Sequence, residues 1–293
     1  MATIEDLINA WEPQMQQAFL DAVYRIRDQA DVAQIIRMLE NGDISGAVQA
    51  VGLDPAQFRP LDKALTAAFE AGGDLTAGVV PAVTSPDGFR TIFQFSVRNP
   101  VAESWLKNYS SNLVTEIIAD QKVAIRNFLA DGLAQGANPK DTALDLVGRL
   151  SGGVRQGGII GLTSSQEQWV RNYRDELLGD NPLDALARNL RDKRFDKTVQ
   201  RYADSGEQIP QDLVNKMVTN YKNRALRYRG ETIARKETIT SLHSGQEKSM
   251  QQAIAAGNLD KDQVSYIWHT AHDSRVRETH RPMDMQRRPM GVP

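Results

Sequence analysis

The sequence predicts an α+β fold, mainly α-helical, in which long helices carry a small β-sheet and an N-terminal helical module precedes them. Three patterns predict it. Two long stretches, about 100–133 and 210–256, space their apolar residues at helical period. Two short stretches, 89–97 and 264–268, alternate apolar residues at strand period. The first seventy-odd residues break into shorter helical stripes with their own caps.

In order along the chain, Pro13 reads as a helix start, followed by Met15, Phe19, Val23 and Ile26 on one face. Asp31 caps a second stripe, Val32, Ile35, Ile36 and Leu39, which Gly42 ends. Asp54-Pro55 opens a third, with Leu61, Leu65 and Phe69, and Gly72-Gly73 is expected to stop it. These helices make a module over 1–73. Residues 74–88, punctuated by Gly78, Pro81, Pro86 and Gly88, read as an extended linker or arm. Phe89, Phe93, Phe95 and Val97 share one parity and predict a core strand. Asn99-Pro100 caps the first long helix; Gly136, Asn138 and Pro139 break it, and a shorter helix with Ala143, Leu144, Leu146 and Val147 follows. Residues 151–162 hold five glycines. No Lys-Ser or Lys-Thr follows Gly161, so a tight turn fits this stretch better than a phosphate cradle. Thr163 with Gln166 forms a capping box for the next helix. Pro210 begins the longest helix, where Gly230 and Gly245 mark close packing or a bend. Val264, Tyr266 and Trp268 then predict a strand, expected to share one small sheet with the Phe89 strand.

Composition narrows the chemistry. The 293 residues are 41% hydrophobic and 25% charged, with no apolar run long enough to span a membrane. The first residues are acidic and lack an apolar stretch, unlike a signal peptide. With no cysteine, a disulfide framework, a thiol nucleophile and a cysteine zinc site are excluded. Charge is unevenly spread. Residues 1–85 carry five Lys/Arg against twelve Asp/Glu, whereas 186–236 carry thirteen against six. Such separation suggests polar partners at both ends, including nucleic acid at the basic one. Arg188, Arg191, Lys193, Arg194, Arg201, Arg224 and Arg227 are the candidate phosphate contacts; solvated helix faces are the alternative.

The most informative segment is terminal: Trp268, Thr270, Asp273, Arg275, Val276, Arg277, His280, Met283 and Asp284, with His269 and His272 inside it. Histidines three apart share a face on a helix but not on a strand, and the zinc-protease pattern His-Glu-x-x-His is absent, so no metal and no cofactor are expected. His280 with Asp273 would make an acid/base pair, yet no convincing nucleophile accompanies it. The favoured reading is a tight corner whose charged groups satisfy one another.

This terminal string, together with Arg229–Thr238 (RGETIARKET) and the helix that continues to Gly257, resembles the phage Mu F-like minor head proteins, also called head morphogenesis proteins. Arg98-Asn99-Pro100, the GGIIGLTSSQ stretch and RDKRFD resemble a subgroup, so the likeness covers about 89–293. The chain departs from the family pattern at Met285, where Gly usually follows the final Asp or Asn, and at Lys236, where Thr is common. The resemblance implies a minor head component of a tailed phage rather than an enzyme. It would be present in several copies in the head interior near the portal, having assembled in the host cytoplasm. Its partners would be the portal protein and, beyond it, packaged DNA and the major capsid or scaffold protein. It would assist assembly, packaging or ejection. In that reading Trp268, Asp273, Arg275, Arg277, His280 and Asp284 form a structural signature and no residue is catalytic. The alternatives are a virion-carried hydrolase or transferase using His280 and Asp273, or a plain DNA-binding protein.

Overall fold

A computed structural model of the protein describes residues 2–84, 86–270, 272 and 276–289. Helix accounts for 68% of the chain and the sheets are only two-stranded, so the mainly helical α+β class holds. The helices and strands are α1 (Ile4–Gln29), α2 (Val32–Glu40), α3 (Ile44–Ala50), α4 (Arg59–Ala77), β1 (Val83–Thr84), β2 (Arg90–Thr91), α5 (Pro100–Ala134), α6 (Pro139–Val147), β3 (Arg149–Ser151), β4 (Val154–Gln156), α7 (Ser164–Leu178), α8 (Asp196–Ser205), α9 (Gln211–Ala255), β5 (Ser265–Ile267) and β6 (Arg287–Pro289). Short 3-10 turns lead into α4 and α8.

The residues gather into two compact units interleaved along the chain, where the sequence reading divides it in succession. The larger holds Ile8–Thr66 and Trp105–Ile239; the smaller holds Met1–Leu7, Ala67–Ser104 and Thr240–Pro293. In the larger unit Met15, Phe19, Val23 and Ile26 of α1 are fully buried, as are Ile125 and Leu129 of α5. α2 packs on α6, and Tyr173 of α7 stacks on Tyr221 of α9 with ring centroids 4.5 Å apart.

Local capping rules explain most boundaries. Asp31, Asp43 and Asn138 each accept a backbone N–H at a helix start, and Thr163 and Gln166 close the expected capping box. Three expectations are corrected. Pro13 lies inside α1, which starts earlier, at a reciprocal pair between Thr3 and Asp6. Asn9, whose carbonyl loses its helical partner to Pro13, is exposed, so solvent can take that carbonyl. Gly72-Gly73 does not stop α4. These glycines lie where α4 and α9 touch backbone to backbone in the smaller unit: a Cβ on Gly72 would lie 2.1 Å from the Leu242 carbonyl oxygen, and one on Gly245 would lie 1.9 Å from that of Phe69. Finally, the Phe89 and Trp268 strands do not share a sheet. Arg90–Thr91 pairs with Val83–Thr84, and Ser265–Ile267 pairs with Arg287–Pro289, because each finds an antiparallel partner nearer along the chain.

Candidate functional site

The terminal corner is built on the β5–β6 ribbon in the smaller unit. Past the ribbon, the Trp268 N–H donates to the Gln286 carbonyl at 3.0 Å, and the Met285 N–H donates to the Trp268 carbonyl at 2.7 Å. Between these ends the chain turns through His280, whose N–H meets the Arg277 carbonyl, into a 3-10 turn at Arg281–Met283. The Asp284 carboxylate closes the loop. It accepts from the Thr270 N–H at 2.8 Å and the Thr270 hydroxyl at 3.1 Å, and its other oxygen lies 3.3 Å from His272 Nε2. These two Thr270 bonds, the backbone one foremost, hold the Asp284 carboxyl below its ordinary value, helped by His272 and His269 and opposed by partial burial. The His280 ring meets the Trp268 indole edge-on, with centroids 5.6 Å apart and planes at 79°.

Of the six signature residues, then, Trp268, His280 and Asp284 belong to one bonded corner, and Arg277 lends its carbonyl to it while remaining exposed. Asp273 and Arg275 lie outside the described residues. Among the described residues, His272 and Asp284 make an imidazole–carboxylate contact. Among the described residues no three His, Asp or Glu side chains gather as a metal set would.

The basic segment folds around one buried carboxylate in the larger unit. Asp192 is 2% exposed. It accepts from Arg194 Nε at 3.0 Å and Nη2 at 2.6 Å, from Arg224 Nη2 at 3.2 Å and from Asn220 Nδ2 at 3.0 Å. Hydrogen bonding from Arg194 is the main reason the Asp192 carboxyl falls to about 2, against the opposing effect of burial. Arg191 forks onto Asp196 at 3.0 and 2.9 Å, and Arg188 onto Glu176. Four of the seven candidate phosphate contacts, Arg188, Arg191, Arg194 and Arg224, are therefore engaged within the fold. Lys193, Arg201 and Arg227 are exposed, with Arg201 resting on the Tyr202 ring.

Two arginines organise the glycine-rich stretch: Arg27, which the sequence reading did not single out, and Arg229, which opens the RGETIARKET segment. Arg27 is 1% exposed, and its guanidinium donates to the carbonyls of Gly158 and Ile160. Arg229 donates to the Gly161 carbonyl at 2.9 Å and pairs with Asp120 at 3.0 Å. A phosphate cradle turns N–H groups toward its ligand; this stretch turns carbonyls toward cations. Gly161 has φ +97 and lies against Val23 and Leu226, leaving no room for a side chain. The clue was available for Arg27, which follows Val23 by one helical turn and so falls on the apolar face.

Comparison with protein-family models, with curated proteins and with solved structures finds no match to this chain.

Proposed function

We propose that the chain is a minor head protein of a tailed bacteriophage that docks at the portal vertex inside the head and assists assembly, DNA packaging or ejection. The reading rests on the Mu F-like likeness of residues 229–238 and 268–284. The observation that carries it is the tie between Thr270 and Asp284, which joins the two ends of the terminal string into a corner made by its own members. Such a corner presents a fixed surface, and a fixed surface is what docking needs. In this proposal the portal protein is the partner, no residue is catalytic, and the exposed Lys193, Arg201 and Arg227 face packaged DNA.

The experiment is to locate the chain in purified particles and to measure its binding to isolated portal rings. Protection from protease until heads are opened, and co-sedimentation with the rings, are expected. A chain absent from particles, or a His280→Ala variant that assembles normally and loses only a chemical activity, would overturn the reading.

A further inference from the structure

The β1–β2 ladder stops after two pairs, Val83 with Thr91 and Thr84 with Arg90. Continued, its register would set Ala82 against Ile92, Pro81 against Phe93 and Val80 against Gln94. Pro81 has no N–H to offer a ladder. The two arms instead line an open cavity of about 480 Å³ with the end of α4. Beyond Thr91 the chain keeps the burial rhythm of a strand: Ile92 is 67% exposed and Phe93 8%. Phe95 packs on Phe69 with ring centroids 5.7 Å apart, and the Ser96 N–H and carbonyl are held by the Gln252 amide at 3.0 and 2.9 Å. The segment is thus held extended, yet the backbone of Ile92–Phe95 enters no ladder among the described residues.

A held, extended, unladdered segment is a template for another strand, and proteins usually guard such edges with charge, proline or a bulge. Residues 91–97 (TIFQFSV) carry no charge and no proline. The cavity beside them is lined by one anion, Asp74, and one cation, Arg90. A surface holding one charge of each sign is complementary to itself across a two-fold axis, where Asp74 of each copy can meet Arg90 of the other. We propose that Ile92–Phe95 is a self-pairing edge, which docks antiparallel on the same segment of a second copy of this chain. The proposal stands independently of the head-protein reading.

Sedimentation equilibrium of the full chain tests it. The wild type is expected to approach twice the chain mass as concentration rises. Ile92→Lys, which places like charges together across the axis, and Gln94→Pro, which deletes an edge N–H, are each expected to weaken dimerisation more than about tenfold. Both positions are exposed, so helical circular dichroism should be unchanged. Asp74→Arg or Arg90→Asp alone should weaken the dimer, and the two together should restore it. A chain that stays monomeric at every concentration, or a dimer indifferent to all four substitutions, overturns the proposal.

Discussion

The Arg27 guanidinium bonds the Ile160 carbonyl twice, through Nε at 3.0 Å and Nη2 at 2.6 Å. Burial lowers the Arg27 pKa to about 10, still far above neutrality, so the group remains a cation inside the larger unit. Arg27→Met keeps the length of the side chain but leaves the Gly158 and Ile160 carbonyls without that donor. The expected loss is about 2–4 kcal/mol in urea denaturation, with Arg27→Lys intermediate. A loss below about 0.5 kcal/mol would mean that the clamp does not hold the turn.

Glu167 of α7 is fully buried. Arg171 Nη2 lies 3.0 Å away, but neither carboxylate oxygen has a hydrogen bond among the described residues. Burial pushes its pKa up to about 7, opposed by the charge of Lys222. As pH falls through about 7 the folded state takes up a proton that the unfolded chain does not bind until near 4.5, so this group's contribution falls as pH rises through that window. Glu167→Gln removes the penalty. The variant should be more stable than wild type at pH 8, by up to roughly 3 kcal/mol. Thermal melts from pH 4 to 8 should show the two converging toward the acid end. An advantage that grows toward acid would contradict the assignment.

The three glycines at helix contacts should respond differently to a methyl group. Gly72→Ala and Gly245→Ala push a Cβ to 2.1 and 1.9 Å from carbonyl oxygens, so backbone must move. A loss of about 2–3 kcal/mol is expected for each. At Gly230 the nearest atom is the side-chain Cγ of Gln16 at 3.3 Å. There the helix propensity of alanine, worth up to about 1 kcal/mol, should leave stability unchanged or raised. Chemical denaturation of the three variants checks the order.

If the basic face meets nucleic acid, paired and exposed cations should separate in experiment. Alanine at Lys193, Arg201 or Arg227 should weaken binding to DNA of any sequence and reduce the salt slope by about one per lost contact. Alanine at Arg191 should instead lower the melting temperature, because it strips Asp196 of its fork. Affinity that depends on Arg191 with no change in stability would assign that residue to the ligand.

What was legible in the sequence was what local chemistry decides. The Thr163 capping box and the ends of the two long helices follow from neighbours within a turn, and the structure places α5 and α9 within about a residue of the expected limits. What was not legible depends on residues far away along the chain. Gly72 and Gly73 look like a helix stop unless Leu242 and Phe95 are known to press on them. Arg188, Arg191 and Arg194 read as a free basic run until Glu176, Asp196 and Asp192 are seen against them. The terminal string reads as a corner, but its central bond, from Thr270 to Asp284, joins residues fourteen apart and does not follow from the spacing.

The interleaving of the two units bears on how the chain can be made. Residues 8–66 belong with 105–239, so their partner surface leaves the ribosome much later. At about 5–20 residues per second that delay is on the order of ten seconds or more. Throughout it, Phe19, Phe58 and Leu61 have no finished core to enter, so the newborn N-terminal helices depend on chaperones or on their own partial collapse. Cutting the gene after residue 104 should therefore yield two insoluble pieces when expressed apart and a soluble pair when synthesised together.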